Sequence, residues 1–316
     1  MAAKKAKLLL QSEEEAKIFI NSCDAFIFDL DGVIWLLDDP ISGAAELVNC
    51  LRQLGKKVFF ITNCNTVSRD NFLKRFKKYG IEADKSEVYT AAFAAAYYLK
   101  HIIKFDKKVY MVGGRGLSEE LDEIGIPNIG FGADEICDPE ERYNEEFELD
   151  PEVGGVVSGY DHLISIKKFI KATSYLVRDE SCVFVATNPD DRMPVPANKN
   201  FTAPGTGCFA AFLEKGSRRS PVYAGKPSRI LFDCIVNKHG IDPVRTCMVG
   251  DTLGTDILFG NKCGTKTLLV FTGNTTPDTL DSVKINPTKK QFIPDYAIQS
   301  IGQLLQPAKE LLQQSQ

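Results

Sequence analysis

The sequence predicts an α/β fold built on a doubly wound parallel sheet, and three observations lead to this prediction. Short apolar runs that suit buried strands alternate with segments of helical periodicity along the 316 residues. Four of these runs end in polar residues, as in sheets whose ligands bind beyond the carboxyl ends of the strands. The pattern of apolar runs and helical segments also changes between about 105 and 220, and after 220 the first pattern returns. This change indicates a second α/β domain inserted into the first. We therefore expect a core segment over 1–104, an inserted domain over 105–220 and a second core segment over 221–316.

The first core segment is predicted to alternate strictly between helix and strand. A helix capped by Ser12 precedes the first strand, and later helices stop at glycine. The predicted elements are a helix at 12–22, a strand at 26–28, a helix at 42–54, a strand at 57–62, a helix at 69–79, a strand near 88–91 and a helix at 91–103.

The inserted domain and the second core segment continue the alternation. An acidic run over 134–152 interrupts it and is predicted to be a solvated surface excursion. In the insertion we expect a strand over 107–114 and then a turn and a helix over 114–125. Two strand-then-turn units over 154–161 and 182–190, with a helix near 166–176 between them, precede a turn and a helix over 204–217. After it we expect an apolar run at 222–224, a helix over 229–238, a strand over 246–251 and a helix entered through 253–264. A strand and turn over 265–273 follow, and the segment 293–314 should form a last short strand and a C-terminal helix.

Composition narrows the possible classes of protein. A hydrophobic fraction of 44% supports a large core, and a net charge of −4 argues against a nucleic-acid surface. No apolar run approaches the length of a membrane span, and the N-terminal apolar stretch is too short for a signal peptide. Nine cysteines without a CxxC pair indicate reduced thiols and a cytoplasmic location.

The stretch FIFDLDGVIW, residues 26–35, is the one around which the predicted site is arranged. Asp29 and Asp31 lie two positions apart at the end of an apolar strand, so both carboxylates can face one site. Two negative charges at so short a distance are stabilised by a nearby cation, by a shared proton, or by both. The stretch therefore indicates a metal site, an acid/base pair or both, and a plain acidic turn is the alternative.

Three further strand ends carry groups that suit a phosphate and a hard metal ion. If the strands are neighbours, their ends meet in one crevice. Carboxylates suit Mg²⁺, an ammonium offsets phosphate charge, and hydroxyl, amide and backbone N–H groups donate to phosphoryl oxygens. An aspartate can also act as a nucleophile on phosphorus, with a second carboxylate as general acid and base. The residues in question are Thr62 and Asn63, Gly225 and Lys226, and Gly250 and Asp251.

The four motifs FDLDGV, TN, GKPS and VGDTLGTDI resemble, in order and spacing, those of the haloacid dehalogenase-like (HAD) phosphatases. The long insertion is similar to the α/β cap of their C2 subclass. ATNPDDRMP and PGTGCFAAFLE resemble the group of phosphoglycolate, pyridoxal and 4-nitrophenyl phosphatases. The resemblance implies a Rossmann-like core under an inserted cap, Mg²⁺ as cofactor, a small phosphomonoester as substrate, and a homodimer formed through the cap.

The resemblance also implies a role for each matching residue. Asp29 matches the nucleophile and a magnesium ligand, and Asp31 matches the general acid/base whose backbone carbonyl binds the metal. Asp251 matches the remaining acidic ligand and Asp256 a supporting carboxylate. The phosphate- and substrate-binding positions are matched by Thr62, Asn63, Cys64, Lys226 and Met193.

Two departures from the family pattern bear on the substrate. Cys64 stands where relatives carry asparagine, which leaves a role for its backbone, and Met193 stands where pyridoxal phosphatases carry histidine. The absence of that histidine favours 2-phosphoglycolate, with pyridoxal 5′-phosphate and glycerol phosphate as alternatives. A phosphate-binding protein without turnover is the alternative from another class, and a phosphomutase is a further one.

Overall fold

The structure, a computed structural model, describes residues 7–8, 12–133, 148–194 and 201–315. The chain divides into two compact units, each with its own parallel sheet. The first unit comprises Met1–Thr62, Phe72–Tyr89 and Lys226–Gln316, and the second comprises Asn63–Asn71 and Thr90–Gly225. The domain boundaries at 104/105 and 220/221 stay a prediction. Most of the predicted acidic excursion, residues 134–147, lies outside the described residues.

The strands are short, and those at the centre of each sheet are fully buried. In chain order they are β1 Lys7–Leu8, β2 Ala25–Asp29, β3 Trp35–Leu36, β4 Asp39–Pro40, β5 Lys57–Thr62, β6 Val88–Thr90, β7 Lys108–Val112, β8 Asn128–Ile129, β9 Val153–Ser158, β10 Val183–Ala186, β11 Arg192–Pro194, β12 Thr202–Pro204, β13 Val222–Tyr223, β14 Thr246–Gly250, β15 Lys266–Val270 and β16 Tyr296–Ile298.

The α-helices alternate with these strands. They are α1 Glu13–Asn21, α2 Ala44–Gln53, α3 Arg69–Lys78, α4 Ala91–Tyr97, α5 Arg115–Glu123, α6 Ile166–Arg178, α7 Thr206–Ser217, α8 Ile230–His239, α9 Leu258–Cys263, α10 Pro277–Lys284 and α11 Leu305–Ser315. Two π-helical turns, Tyr98–Ile102 and Leu253–Ile257, and short 3₁₀ turns at Lys85–Glu87, Pro243–Arg245, Pro287–Phe292 and Ile301–Leu304 complete the regular structure.

The first unit contains a seven-stranded sheet in the order β1-β16-β15-β14-β2-β5-β6. Its strand β2 pairs in parallel with β5 on one side and with β14 on the other. The chain leaves β2 toward β5 and returns much later to β14, so the direction of winding reverses at β2. In open α/β sheets, ligands bind at the carboxyl ends of the strands beside such a reversal.

The second unit contains a five-stranded sheet in the order β13-β10-β9-β7-β8, with parallel pairings throughout. Helices α6 and α7 pack against it around a cluster that includes Tyr110, Val156 and Phe184. Together the two parallel sheets with helices between their strands confirm the predicted α/β class.

Local sequence explains where many elements begin. Ser12 caps α1 by accepting a hydrogen bond from the Glu15 amide at 3.2 Å, as predicted. The core strand β2 is buried along its whole length because it has a partner strand on each side.

Other elements were not predicted. Strand β1 pairs with β16, helix α10 follows β15, and two antiparallel hairpins are formed by β3–β4 and β11–β12. The predicted helix over 91–103 is an α-helix to Tyr97 and a π-helical turn after it. The eight cysteines in the described ranges are free thiols.

Candidate active site

Three neighbouring strands of the first sheet end at the same edge and bring the first predicted residues together. In the β2–β5 pairing Asp29 lies opposite Ile61, so Thr62 extends one position beyond it. In the β2–β14 pairing Phe28 lies opposite Val249, so Asp251 follows immediately after the end of β14. Asp29, Thr62 and Asp251 are all buried. The predicted meeting of these strand ends in the first unit is therefore found in the structure.

Lys226 joins this edge through two carboxylates. Its Nζ lies 2.7 Å from Asp29 Oδ1 and 2.7 Å from Asp256 Oδ1, and its side chain is only 2% exposed. A buried ammonium is costly to desolvate unless it is paired, and here it has two partners. The two carboxylates raise the pKa of Lys226 against the opposing effect of burial, so the side chain stays charged.

Asp256 is held in place by the π-helical turn that follows β14. Its Oδ2 accepts hydrogen bonds from the backbone N–H groups of Asp251 at 3.1 Å and Thr252 at 3.0 Å. With Lys226 on Oδ1, the carboxylate has three donors and is completely buried. Single π-helical turns are frequent at functional sites. Here the turn points a carboxylate back at the strand end, which suits the supporting role implied by the resemblance.

Asp251 is fixed by a loop that follows β15. Its Oδ2 accepts the Asn274 amide N–H at 2.5 Å, and its Oδ1 accepts the Thr252 hydroxyl at 3.0 Å. Gly273 allows this approach, because a Cβ at that position would lie 2.0 Å from Asp251 Oδ2. Strand β15 and this loop repeat the pattern of the four predicted strand ends, an apolar strand followed by polar residues. That signal was present in the sequence, but the loop was not assigned to the site.

The carboxylates of Asp29, Asp251 and Asp256 crowd one place in the first unit. Each offers an oxygen, and these oxygens all lie within 4.8 Å of one another. Burial, with the charge of Asp256, raises the pKa of Asp29 well above its usual range and that of Asp251 to about 7. A hard divalent cation would relieve this repulsion, so the donor set fits Mg²⁺. Asp256 already accepts three N–H groups, which leaves Asp29 and Asp251 as the better ligands.

Asp31 lies beyond β2 in a tight loop. Gly32 has φ +84°, a conformation that glycine adopts without strain, and its N–H donates to the Trp35 carbonyl at 2.6 Å. The loop thereby brings the buried Trp35 indole back to Asp31, and Nε1–H donates to Oδ1 at 3.0 Å. Asp31 keeps an exposed surface, yet desolvation raises its pKa against the opposing effects of Arg75 and the indole N–H. A carboxyl with a raised pKa suits a general acid.

Three of the predicted substrate- and phosphate-binding residues belong to the second unit. Asn63 follows β5 directly, and its Nδ2 donates to both oxygens of Asp190, at 3.1 and 3.3 Å. Cys64 is partly buried with its Sγ 3.5 Å from Thr66 Oγ1. Met193 lies on β11, where it pairs with Ala203 of β12.

A buried hydrogen-bond network surrounds Asn63 within the second unit, and sequence reasoning missed it. Asn65 Nδ2 donates to Asn188 Oδ1 at 3.0 Å and to Thr206 Oγ1 at 3.2 Å, while its Oδ1 accepts the Tyr160 N–H at 2.7 Å. Asn188 in turn donates to Asp190 Oδ2 at 2.7 Å. The network fixes the loop after Thr62 to the loop after β10, and no local pattern in the sequence pairs these two segments.

Two family models match the chain. One, described as haloacid dehalogenase-like hydrolase, matches residues 26–127, and the other, described as HAD-hydrolase-like, matches residues 223–303. No helix among the residues described here has the length and apolar character needed to cross a membrane.

Curated relatives are similar to the chain over nearly its full length. Glycerol-3-phosphate phosphatase from Gallus gallus is 36% identical over 94% of this chain and 95% of its own. Phosphoglycolate phosphatase 2 from Arabidopsis thaliana is 38% identical over 86% of this chain and 90% of its own.

Solved structures are similar as well. The p-nitrophenyl phosphatase from Archaeoglobus fulgidus has a TM-score of 0.76 at 29% identity and covers 90% of this chain and 98% of its own. The glycerol phosphate phosphatase from Mycobacterium tuberculosis in complex with magnesium has a TM-score of 0.72 at 25% identity, over 92% and 79% of the two chains.

Proposed function

Since this chain belongs to the haloacid dehalogenase-like hydrolases, we propose that it is a magnesium-dependent phosphatase of small phosphomonoesters that works through an aspartyl-phosphate. The predicted family, fold class and enzyme class, a phosphoric monoester hydrolase, are confirmed by the matches. The observation that carries the mechanism is the buried cluster at the strand ends. There, the ammonium of Lys226 contacts the candidate nucleophile Asp29, and Asp29 and Asp251 offer the carboxylate oxygens that fit a cation.

In the first step, a carboxylate oxygen of Asp29 attacks phosphorus while the bond from phosphorus to the ester oxygen breaks. Asp31 gives its proton to the departing oxygen, so that an alcohol leaves. In the second step, Asp31 takes a proton from water as the water oxygen attacks the aspartyl-phosphate. Inorganic phosphate leaves, and both aspartates return to their starting forms.

The other residues bind and orient the phosphoryl group. Lys226 offsets the charge of Asp29 and of the phosphate, while Thr62, Asn63 and backbone N–H groups such as that of Cys64 donate to phosphoryl oxygens. Mg²⁺ held by Asp29, Asp251 and the Asp31 carbonyl would favour the ionised nucleophile and stabilise negative charge on the phosphoryl oxygens. The magnesium in a solved relative supports this cofactor.

The test is hydrolysis of 4-nitrophenyl phosphate with Mg²⁺ by the wild type and by Asp29→Asn. We expect the variant to lose all measurable turnover, because an amide does not attack phosphorus in this way. Asp233→Asn is the control, since Asp233 lies on α8 and forms an exposed pair with Arg229 at 3.3 Å. Substantial turnover by Asp29→Asn would overturn its role as nucleophile. Binding of Mg²⁺ and phosphate without turnover of any ester by the wild type would favour a binding protein instead.

We propose 2-phosphoglycolate as the substrate, supported by Met193 in place of histidine and by relatives named phosphoglycolate phosphatase. Glycerol 3-phosphate is the second candidate, because relatives at 36% identity carry that name. The comparison to make is kcat/KM on these two esters and on pyridoxal 5′-phosphate. A preference for either of the other two esters would overturn the first choice.

We also propose a cytoplasmic homodimer formed through the second unit. Helices α6 and α7 leave an apolar groove of about 570 Å³, and Ile166, Val177 and Phe212 on it are 57%, 60% and 47% exposed. Exposed apolar patches of this kind mark association surfaces. Light scattering should give twice the chain mass for the wild type and the chain mass for Val177→Glu. A monomeric wild type would contradict the proposal.

A further inference from the structure

Trp35, the single tryptophan in the sequence, is a hydrogen-bond partner of Asp31 to which the proposed mechanism gives no role. Trp35 is fully buried, and its Nε1–H donates to Asp31 Oδ1 at 3.0 Å. An indole N–H is a donor and has no acceptor capacity. The Oδ1 atom of Asp31 must therefore accept in this bond, whatever the protonation state of the carboxyl.

The backbone of Trp35 is fixed by hydrogen bonds, so the indole N–H stays in one place when the carboxyl group of Asp31 rotates. The Val33, Ile34 and Trp35 amides all donate to the Leu30 carbonyl, at 3.2, 2.8 and 3.2 Å, so the loop closes on itself. The Gly32 N–H returns a bond to the Trp35 carbonyl at 2.6 Å. The backbone of Trp35 is thus fixed to the end of β2, where Asp31 begins the same loop.

The ring is fixed from its other side by α3 and the residue after it. It stacks on Phe72, with the ring centroids 6.2 Å apart and the planes 11° apart, and it contacts Phe76 at 5.3 Å and Tyr79 at 5.8 Å. The guanidinium of Arg75 lies 4.2 Å from the indole centroid. A cation over the ring draws electron density from it, which strengthens the N–H as a donor.

We propose that Trp35 is a positioning residue that fixes which oxygen of Asp31 carries the catalytic proton. With Oδ1 engaged by the indole, the proton sits on Oδ2 and passes from there to the ester oxygen as its bond to phosphorus breaks. Arg75 supports the arrangement by packing on the indole. This inference rests on the proposed function, in which Asp31 is the general acid.

The experiment compares two esters whose leaving groups differ in their need for a proton. The phenolate of 4-nitrophenyl phosphate leaves without a proton, whereas the alkoxide of an alkyl ester such as glycerol 3-phosphate needs one. For each enzyme we would measure kcat/KM on both esters with Mg²⁺ and take the ratio of alkyl to aryl. Because kcat/KM reports the steps up to cleavage of the ester, hydrolysis of the aspartyl-phosphate does not enter the ratio.

Trp35→Phe keeps an aromatic ring and removes the N–H. General acid catalysis contributes about 10²- to 10⁴-fold, so a misplaced proton should lower the alkyl-to-aryl ratio by about tenfold or more. Phe76→Leu is the matched control, because Phe76 packs on the indole and on Phe60 at 4.3 Å and has no side-chain group that could form a hydrogen bond to Asp31. It should lower both kcat/KM values together and leave the ratio unchanged.

The outcomes separate this inference from the proposed function. Asp31→Asn should lower the ratio the most, and an unchanged ratio in that variant would overturn Asp31 as general acid. A lowered ratio in Asp31→Asn with an unchanged ratio in Trp35→Phe would overturn the positioning role of Trp35 alone. If Trp35→Phe does not fold, β-(3-benzothienyl)alanine at position 35 keeps the bicyclic shape, places sulfur where the N–H was, and should lower the ratio equally.

Discussion

Replacing Lys226 with methionine is the sharpest test of the charge cluster in the first unit. Methionine keeps an unbranched side chain and removes the ammonium. Lys226 Nζ lies 2.7 Å from Asp29 Oδ1 and 2.7 Å from Asp256 Oδ1, with 2% of the side chain exposed. The variant therefore leaves two buried carboxylates without their shared cation.

The size of the effect follows from these distances. At an effective dielectric constant of about 20, each contact at 2.7 Å is worth about 6 kcal/mol of Coulomb energy. In the wild type most of this Coulomb energy is offset by the cost of removing the ammonium from water. That desolvation cost is absent from the variant. Removal of one partner from a buried ion pair typically costs about 3–5 kcal/mol, and we expect the free energy of unfolding at pH 8 to fall by that amount.

The loss should depend on pH in a defined direction. Without Lys226, burial and mutual repulsion raise the pKa of Asp29 further above its value in the unfolded chain. The folded state then binds more protons than the unfolded state, so its stability rises as the pH falls. The difference in free energy of unfolding between variant and wild type should therefore be smaller at pH 5.5 than at pH 8.

The assay is urea unfolding in EDTA, followed by tryptophan fluorescence. Trp35, the single tryptophan, is buried in the first unit, so its emission reports the unfolding of that unit. Lys284→Met is the control, because Lys284 pairs at 3.0 Å with the 67% exposed Asp281. Such a pair is worth about 1 kcal/mol or less. A Lys226→Met variant within 1 kcal/mol of wild type at pH 8, or a loss that is equal at both pH values, would refute the reasoning.

Three further predictions concern the metal site and the second unit. Burial raises the pKa of Asp251 to about 7 and that of Asp29 well above its usual range, so protons compete with Mg²⁺ for both ligands. Calorimetry should show the apparent dissociation constant falling by about tenfold or more from pH 5 to pH 7, and a constant value from pH 5 to 8 would contradict this. Gly273→Ala places a Cβ 2.0 Å from Asp251 Oδ2 and should weaken Mg²⁺ binding at least tenfold in the same measurement, whereas Gly254→Ala, with open space around it, should not. Asn65→Ala removes a partner from the buried side chain of Asn188 and from the partly buried N–H of Tyr160. It should lower the free energy of unfolding by about 1–3 kcal/mol for each, measured by urea titration with circular dichroism, and a loss below 1 kcal/mol in total would contradict the role of the network.

The sequence was sufficient for the periodic elements and for the strand-end clusters. Helix α1 with its Ser12 cap and strands β2, β5 and β14 follow from local pattern, because burial between two strands requires apolar residues along the whole strand. Short edge strands such as β1 and β8 have only two residues each, too few to produce a period. Their pairing partners are set by the sheet rather than by their own residues.

The tertiary structure alone decided which side chains act on one another. Asp29 and Lys226 were both chosen from sequence, yet they lie 197 positions apart, and their contact follows from the register of the sheet. Trp35 donates to Asp31 and Asn274 donates to Asp251, and neither donor was selected from the sequence. A hydrogen bond depends on distance and direction, which residue type does not encode. The sequence by itself determined the chemistry at the strand ends. Only the packing of the chain decided which oxygen, nitrogen or indole N–H faces each carboxylate, since those positions depend on the register of the strands and on the folded shape of the loops between them.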